Sequence, residues 1–130
     1  MDVLDLFGYQ ANLNNMLSRI GKRLAIEFFC DIHLYDGVVE TNFIDIATPV
    51  DSLAQIKEAL YGEANYYLNS NPTIELSDDI ISEIMEELDF AKIDTTKPGD
   101  IKSTRWDSIV LIDDDNVSVE CSFSLEIVDI

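Results

Sequence analysis

Positive charge is scarce in this chain. Lys and Arg together number 8 against 26 Asp and Glu, giving a formal net charge of −18 and a pI near 4.1. Proteins that grip nucleic acid directly neutralise phosphates with clustered Lys and Arg. Direct nucleic-acid binding is therefore excluded as an expectation, and docking on anionic lipid is disfavoured for the same reason. Cysteine is scarce too. Cys30 and Cys121 are too few for a disulfide framework, and each sits among apolar residues, so two buried, reduced thiols are expected. Pro and Gly number only 3 and 5, and no repeat or low-complexity tract appears. No run of about 18 apolar residues exists, so no membrane-spanning helix is expected. The start, Met1-Asp2-Val3-Leu4-Asp5, is acidic where a secretory signal is basic and then apolar, which points to the cytoplasm.

The apolar content is ample. Of 130 residues, 47% are hydrophobic, with sixteen Ile, 6 Phe, 5 Tyr and 1 Trp. That is enough to offset chain entropy, so the charge does not imply disorder. The length fits one globular domain, residues 1–130.

Periodicity places the elements. Residues 2–20 read as helix, with Leu6, Leu13, Leu17 and Ile20 near one face and Gly21 as the stop. Residues 22–35 alternate strictly. Leu24, Ile26, Phe28, Cys30, Ile32 and Leu34 interleave with Arg23, Ala25, Glu27, Phe29, Asp31, His33 and Tyr35, a period of two that fits a strand. The second set carries Phe29 and Tyr35, so that face is read as partly covered. Asp36-Gly37 suits a two-residue hairpin turn, with a returning strand over 38–47. The simplest register then sets His33 opposite Glu40, Phe29 opposite Ile44 and Asp45 opposite Phe28. The last pairing puts a carboxylate on the apolar face, so a bulge or shorter pairing is expected.

Thr48-Pro49-Val50-Asp51 reads as a helix start, with Thr48 as cap and Pro49 at the first helical position. Asn69-Ser70-Asn71-Pro72 reads as its end. Ser77 opens a third helix to about Ala91, with Ile80, Ile81, Ile84, Met85 and Leu88 on one face. Residues 92–105 lack periodicity, contain Lys97-Pro98-Gly99-Asp100, and read as a long loop holding half of the bases. Short strand 106–112, a polar turn at Asp113–Asn116 and a cleanly alternating strand 117–127 complete the chain. The expectation is an α+β fold in the order α-ββ-αα-ββ, an antiparallel four-stranded sheet with helices packed on one face.

Catalytic motifs are nearly absent. The one histidine, His33, lies in mid-strand with no nucleophile motif nearby and reads as a cross-strand partner of Glu40. There is no glycine-rich phosphate loop and no Cys/His cluster for zinc. Asp113-Asp114-Asp115-Asn116 fails the EF-hand pattern, since no glycine sits at the sixth loop position. No metal, no cofactor and no enzymatic activity are expected.

The distribution of acid is the most specific feature. Residues 1–50 carry a net −4 and residues 51–130 a net −14. The stretch from Asp78 to Asp89 holds Asp78, Asp79, Glu83, Glu86, Glu87 and Asp89. As a helix it spans about 18 Å, one carboxylate per roughly 3 Å, close to the spacing of phosphates along one DNA strand at about 3.4 Å. A magnitude of about 2–8 would suffice for the solubility of a small domain, and excess like charge opposes compaction. The expected function is an acidic inhibitor that fills the cationic groove of a basic, nucleic-acid-handling protein. A nuclease toxin, a restriction enzyme or a CRISPR effector are the partners weighed, for an immunity or anti-defence role. The candidate contact residues are the six acids of the third helix together with Asp113, Asp114 and Asp115. The alternative is a structural or adaptor subunit that oligomerises through its sheet, as a homodimer for instance. A carboxylate or metal enzyme is a distant third.

Overall fold

The centre of the structure is a long strand whose two sides differ in chemistry. A computed structural model describes residues 2–70, 78–90, 104–113 and 116–130. Its elements are α1 (Val3–Leu17), β1 (Lys22–Asp36), β2 (Val39–Val50), α2 (Leu53–Ser70), α3 (Asp78–Phe90), β3 (Thr104–Asp113) and β4 (Val117–Asp129). The fold is α+β. All strand pairings are antiparallel, in the spatial order β2-β1-β4-β3.

Sequence chemistry explains the element ends. Asp2 caps α1, accepting from the Asp5 amide at 2.8 Å, while the Asp5 carboxylate accepts from the Asp2 amide. A 3-10 turn, Ser18–Ile20, follows, and Gly21 ends it at φ 71°, where a side chain would be strained. Gly37 takes φ 66° in the hairpin turn.

On β1, Leu24, Ile26, Phe28, Cys30 and Ile32 are fully buried and face the helices. They join Ile44 and Ile46 of β2, Val119, Cys121, Phe123 and Leu125 of β4, Val3 and Leu6 of α1, Ile56 and Leu60 of α2, and Ile81, Ile84 and Leu88 of α3 in one cluster. Phe28 lies opposite Phe123, with ring centroids 5.4 Å apart. Such a pair contributes about 0.5–1.5 kcal/mol beyond its area burial. Cys30 lies opposite Cys121, sulfur to sulfur at 3.4 Å, and burial raises the Cys121 thiol well above its ordinary pKa. Both cysteines are free, buried thiols.

Two expectations are corrected in the first hairpin. The pairing places His33 opposite Phe43, Phe29 opposite Ala47 and Asp45 opposite Asp31; the expected bulge falls between Leu34 and Tyr35, and the His33 ring still reaches Glu40 across the strands. Asp36 pairs with Val39, so Gly37 and Val38 form the turn. Relative to the tight register the partner slides by three residues, an odd number, which moves Asp45 off the apolar face. Desolvation drives this choice, because a carboxylate facing Phe28 would be buried without a partner. The second correction concerns Thr48-Pro49-Val50. These residues continue β2, with Thr48 opposite Phe28 and Val50 opposite Ile26. Proline is tolerated because β2 is an edge strand, where a missing N–H breaks no inner ladder. The helix start lies later: Ser52 Oγ accepts from the Gln55 amide at 3.3 Å, and Gln55 Oε1 accepts from the Asp51 amide at 2.6 Å.

β2 ends opposite Ile26, so Leu24 lies beyond the last β2 partner. Two side chains of α1 replace the missing strand. Gln10 Nε2 donates to the Leu24 carbonyl at 3.0 Å, and Asn14 Oδ1 accepts from the Leu24 amide at 2.6 Å. Gln10 and Asn14 are four apart, on one helix face. Gln10 is only 7% exposed, so its loss leaves a buried carbonyl unpaired. We predict that Gln10→Leu and Asn14→Ala each cost about 1–3 kcal/mol by denaturant unfolding. A loss below a few tenths would show that water replaces these side chains.

Candidate functional site

The α3 acids are built onto an amphipathic helix. Ile81, Ile84 and Leu88 are fully buried, and Ile80 and Met85 pack partly against the core. That orientation turns Asp78, Asp79, Glu83, Glu86, Glu87 and Asp89 outward, and all six are exposed. Asp78 and Asp79 occupy the first turn, where they complement the helix dipole. The others have no such support. Asp79 with Glu83 and Glu83 with Glu87 are like charges one turn apart, each costing a few tenths of a kcal/mol. No base lies in the last turn.

Among the described residues only two ion pairs form, and neither involves α3. Lys22 Nζ meets Asp129 Oδ1 at 2.8 Å, holding the Asp129 carboxyl below its usual pKa, and His33 Nδ1 meets Glu40 Oε1. Lys57 of α2 lines a groove with Tyr61, Ile81, Met85, Glu86 and Asp89, yet its ammonium lies 5.9 Å from the Tyr61 ring centroid and pairs with neither acid. Asp113 ends β3 opposite Ser118. α3 packs against β3, the strand that Asp113 ends. Asp114 and Asp115 lie outside the described residues.

A second surface emerges only from the pairing of three strands. The face of the sheet turned away from the helices presents the odd-numbered residues of β1. Phe29, Asp31, His33 and Tyr35 are half-buried there, and Phe43 of β2 is exposed. The His33 ring lies 4.8 Å from Phe43 and 6.4 Å from Tyr35. One row crosses this face as Asp45, Asp31 and Glu120, from β2, β1 and β4. Desolvation by burial raises the Asp31 pKa, the hydrogen bond and charge of Asp45 raise it further, and Glu120 adds to this while His33 opposes it. The sequence signalled Phe29 and Tyr35 on this side. The acidic row was hidden because it depends on the β1–β2 register and on the pairing of β1 with β4. Among the described residues no three His, Cys, Asp or Glu side chains converge closely enough to hold a metal ion.

An open cleft of about 610 Å³ lies between α1, the start of β1, the end of β2 and α2. Its Gln10, Asn14 and Gln55 side chains are engaged with the Leu24 and Asp51 backbone. No helix among the described residues is long and apolar enough to cross a membrane. No protein family, curated protein or solved structure matches the chain.

The acidic row yields a stability prediction with a definite sign. The folded-state pKa of Asp31 stands above the ordinary 3.8, so the folded state takes up the proton more readily than the unfolded state. Ionised Asp31 therefore weakens the fold at neutral pH, and that penalty fades as pH falls through the folded pKa. Asp31→Asn is expected to stabilise the protein at neutral pH by about 0.2–1 kcal/mol, the worth of a like-charge cross-strand contact. Unfolding at stepwise lower pH should show the variant's advantage shrinking. An advantage that persists in acid would trace to packing instead.

Proposed function

We propose that the protein is a non-catalytic, acidic binding protein that occupies the cationic groove of a nucleic-acid-handling partner and blocks it. One observation carries this reading: six carboxylates stand exposed along α3, with no ion pair among the described residues. Grooves that bind phosphates are cationic, and an exposed helix surface with about one carboxylate per 3 Å of axis would complement them. Opposite charge also steers encounter, raising association rates well above the neutral range. Asp113, Asp114 and Asp115 extend the proposed contact at the β3–β4 connection. The partner classes that fit are a nuclease toxin, a restriction enzyme or a CRISPR effector, met in the cytoplasm. The chain itself would not bind nucleic acid.

Self-association through the sheet is the less favoured reading. The outward sheet face carries Asp31, Asp45 and Glu120, and a second copy would oppose them with their own kind.

The test compares the wild-type chain with a variant carrying Asp79→Asn, Glu83→Gln, Glu86→Gln and Glu87→Gln. Immobilised wild-type protein should capture a basic nucleic-acid enzyme from its host and inhibit it, and duplex DNA should compete. Affinity should fall at least about tenfold between 50 and 200 mM salt, as for multi-phosphate contacts. The variant should lose inhibition while unfolding at an equal or higher denaturant concentration, because repulsion along α3 is relieved. Inhibition that survives both salt and neutralisation would overturn the groove-filling mechanism.

A further inference from the structure

The outward face of the sheet combines exposed ring area with a row of carboxylates. It carries ring area: Phe43 is 48% exposed, and His33 and Tyr35 lie beside it. It also carries negative charge in the cross-strand row Asp45, Asp31, Glu120, with Glu27 and Glu126 exposed nearby on β1 and β4. Bases share this face: His33 meets Glu40 and opposes the rise in the Asp31 pKa, Arg23 lies eight residues from Asp31 along β1, and register sets Arg105 opposite Ser124, the β4 partner of Glu27; among the described residues no ion pair reaches Asp45, Asp31 or Glu120.

The chemistry of the face selects its occupant. A second copy of the chain brings three carboxylates onto three carboxylates. A purely apolar partner would strip water from Asp31 and Asp45 and return nothing. A lysine supplies charge, but its compact, strongly hydrated ammonium gains little from the rings. A guanidinium satisfies both demands at once. Its flat face stacks on aromatic rings, and its N–H fork donates to carboxylates in pairs.

We propose that this face docks an arginine-bearing segment of a partner protein, with guanidinium groups stacked on the His33–Phe43 rings and donating to Asp45, Asp31 and Glu120. The surface lies on the opposite side of the sheet from the helices, so it does not rest on the α3 reading. It engages by short-range contact as well as by charge.

The test measures binding of an oligoarginine peptide and an oligolysine peptide of equal length, by fluorescence anisotropy at physiological salt. Wild-type protein should prefer oligoarginine by about tenfold, the scale of one to two ring contacts. Phe43→Ala should abolish most of that preference. Phe43 is exposed on an edge strand, so the variant is expected to fold, and Asp45→Asn offers a second probe that relieves repulsion with Asp31. Neutralising Asp79, Glu83, Glu86 and Glu87 should weaken both peptides alike and leave their ratio intact. Amide shifts on titration should centre on Asp31, His33, Phe43 and Glu120. Equal affinity for the two peptides, a preference that survives Phe43→Ala, or shifts confined to α3 would overturn the proposal. So would a dimer of the chain alone, seen by sedimentation and broken by Phe43→Ala. Loss of the α3 effect with the arginine preference intact would refute the groove-filling reading and leave this one standing.

Discussion

The register of β1 against β2 is the constraint on which the other features depend. β1 is an inner strand of the sheet, paired with β2 on one side and with β4 along thirteen residues on the other. Its even-numbered side chains fill the core, so a neighbouring strand must present its own apolar set on the same side. In β2 that set is Ile44, Ile46 and Val50, with Asp45 between the two isoleucines. A slip of one residue exchanges Ile44 and Ile46 for Asp45. The bulge at Leu34/Tyr35 and the Gly37-Val38 turn together absorb the mismatch between a tight hairpin and this demand. The same adjustment delivers Asp45 beside Asp31, so the acidic row is a by-product of protecting the core.

Charge distribution follows from the same logic. The core cluster contains no ionisable side chain except the two thiols, and outside β3 every carboxylate of the described residues is exposed or half-buried. Among the described residues only Asp129 and Glu40 meet a basic partner. Repulsion is then spread over two layers: along α3 on the helix side and across Asp45, Asp31 and Glu120 on the sheet side. Each contact costs tenths of a kcal/mol, which a stability of several kcal/mol tolerates. What holds the chain despite this is apolar burial, with Phe28 against Phe123 at its centre, and the start of β1 is tied to the end of β4 by Lys22 to Asp129 and by the Ile130 amide to the Gly21 carbonyl.

Much of this was readable in the sequence where one period dominated. The alternation in 22–35 and 117–127 and the helical stripe Ile81-Ile84-Leu88 are strong because one face is fully buried in each. The glycine stop at Gly21 was readable because positive φ singles out glycine. The errors fell where two local signals competed. Thr48-Pro49-Val50-Asp51 satisfies helix-start chemistry, but pairing with Ile26 and Phe28 outweighed it, and Ser52-Leu53-Ala54-Gln55 carried the cap instead. Asp36-Gly37 located the hairpin but not its register, since turn chemistry is local and register answers to the core. On the candidate site, the exposure of the α3 acids was legible from the helix period. The row Asp45-Asp31-Glu120 was not, because its members are far apart in sequence and meet only through two pairings. Gln10 and Asn14 were equally hidden, as their partner is backbone that lacks a strand neighbour.

The two acidic layers differ in what they can do physically, and this bears on how a partner would be held. Bare carboxylates on α3 act through the field. At about 0.15 M salt that field decays over roughly 8 Å, so it directs approach and weakens as salt rises. The sheet face adds rings to carboxylates in a partly desolvated setting, where attraction is short-ranged and less screened. Burying the Asp45, Asp31 and Glu120 row against neutral surface would deepen a repulsion already felt in the isolated fold. Burying it against guanidinium would reverse that repulsion and release the strain in Asp31. A surface that is unfavourable alone and favourable only with a planar cation discriminates among partners, whereas the α3 field attracts any cation. Recruitment and selection would then reside on opposite sides of one sheet, set apart by the alternation of β1.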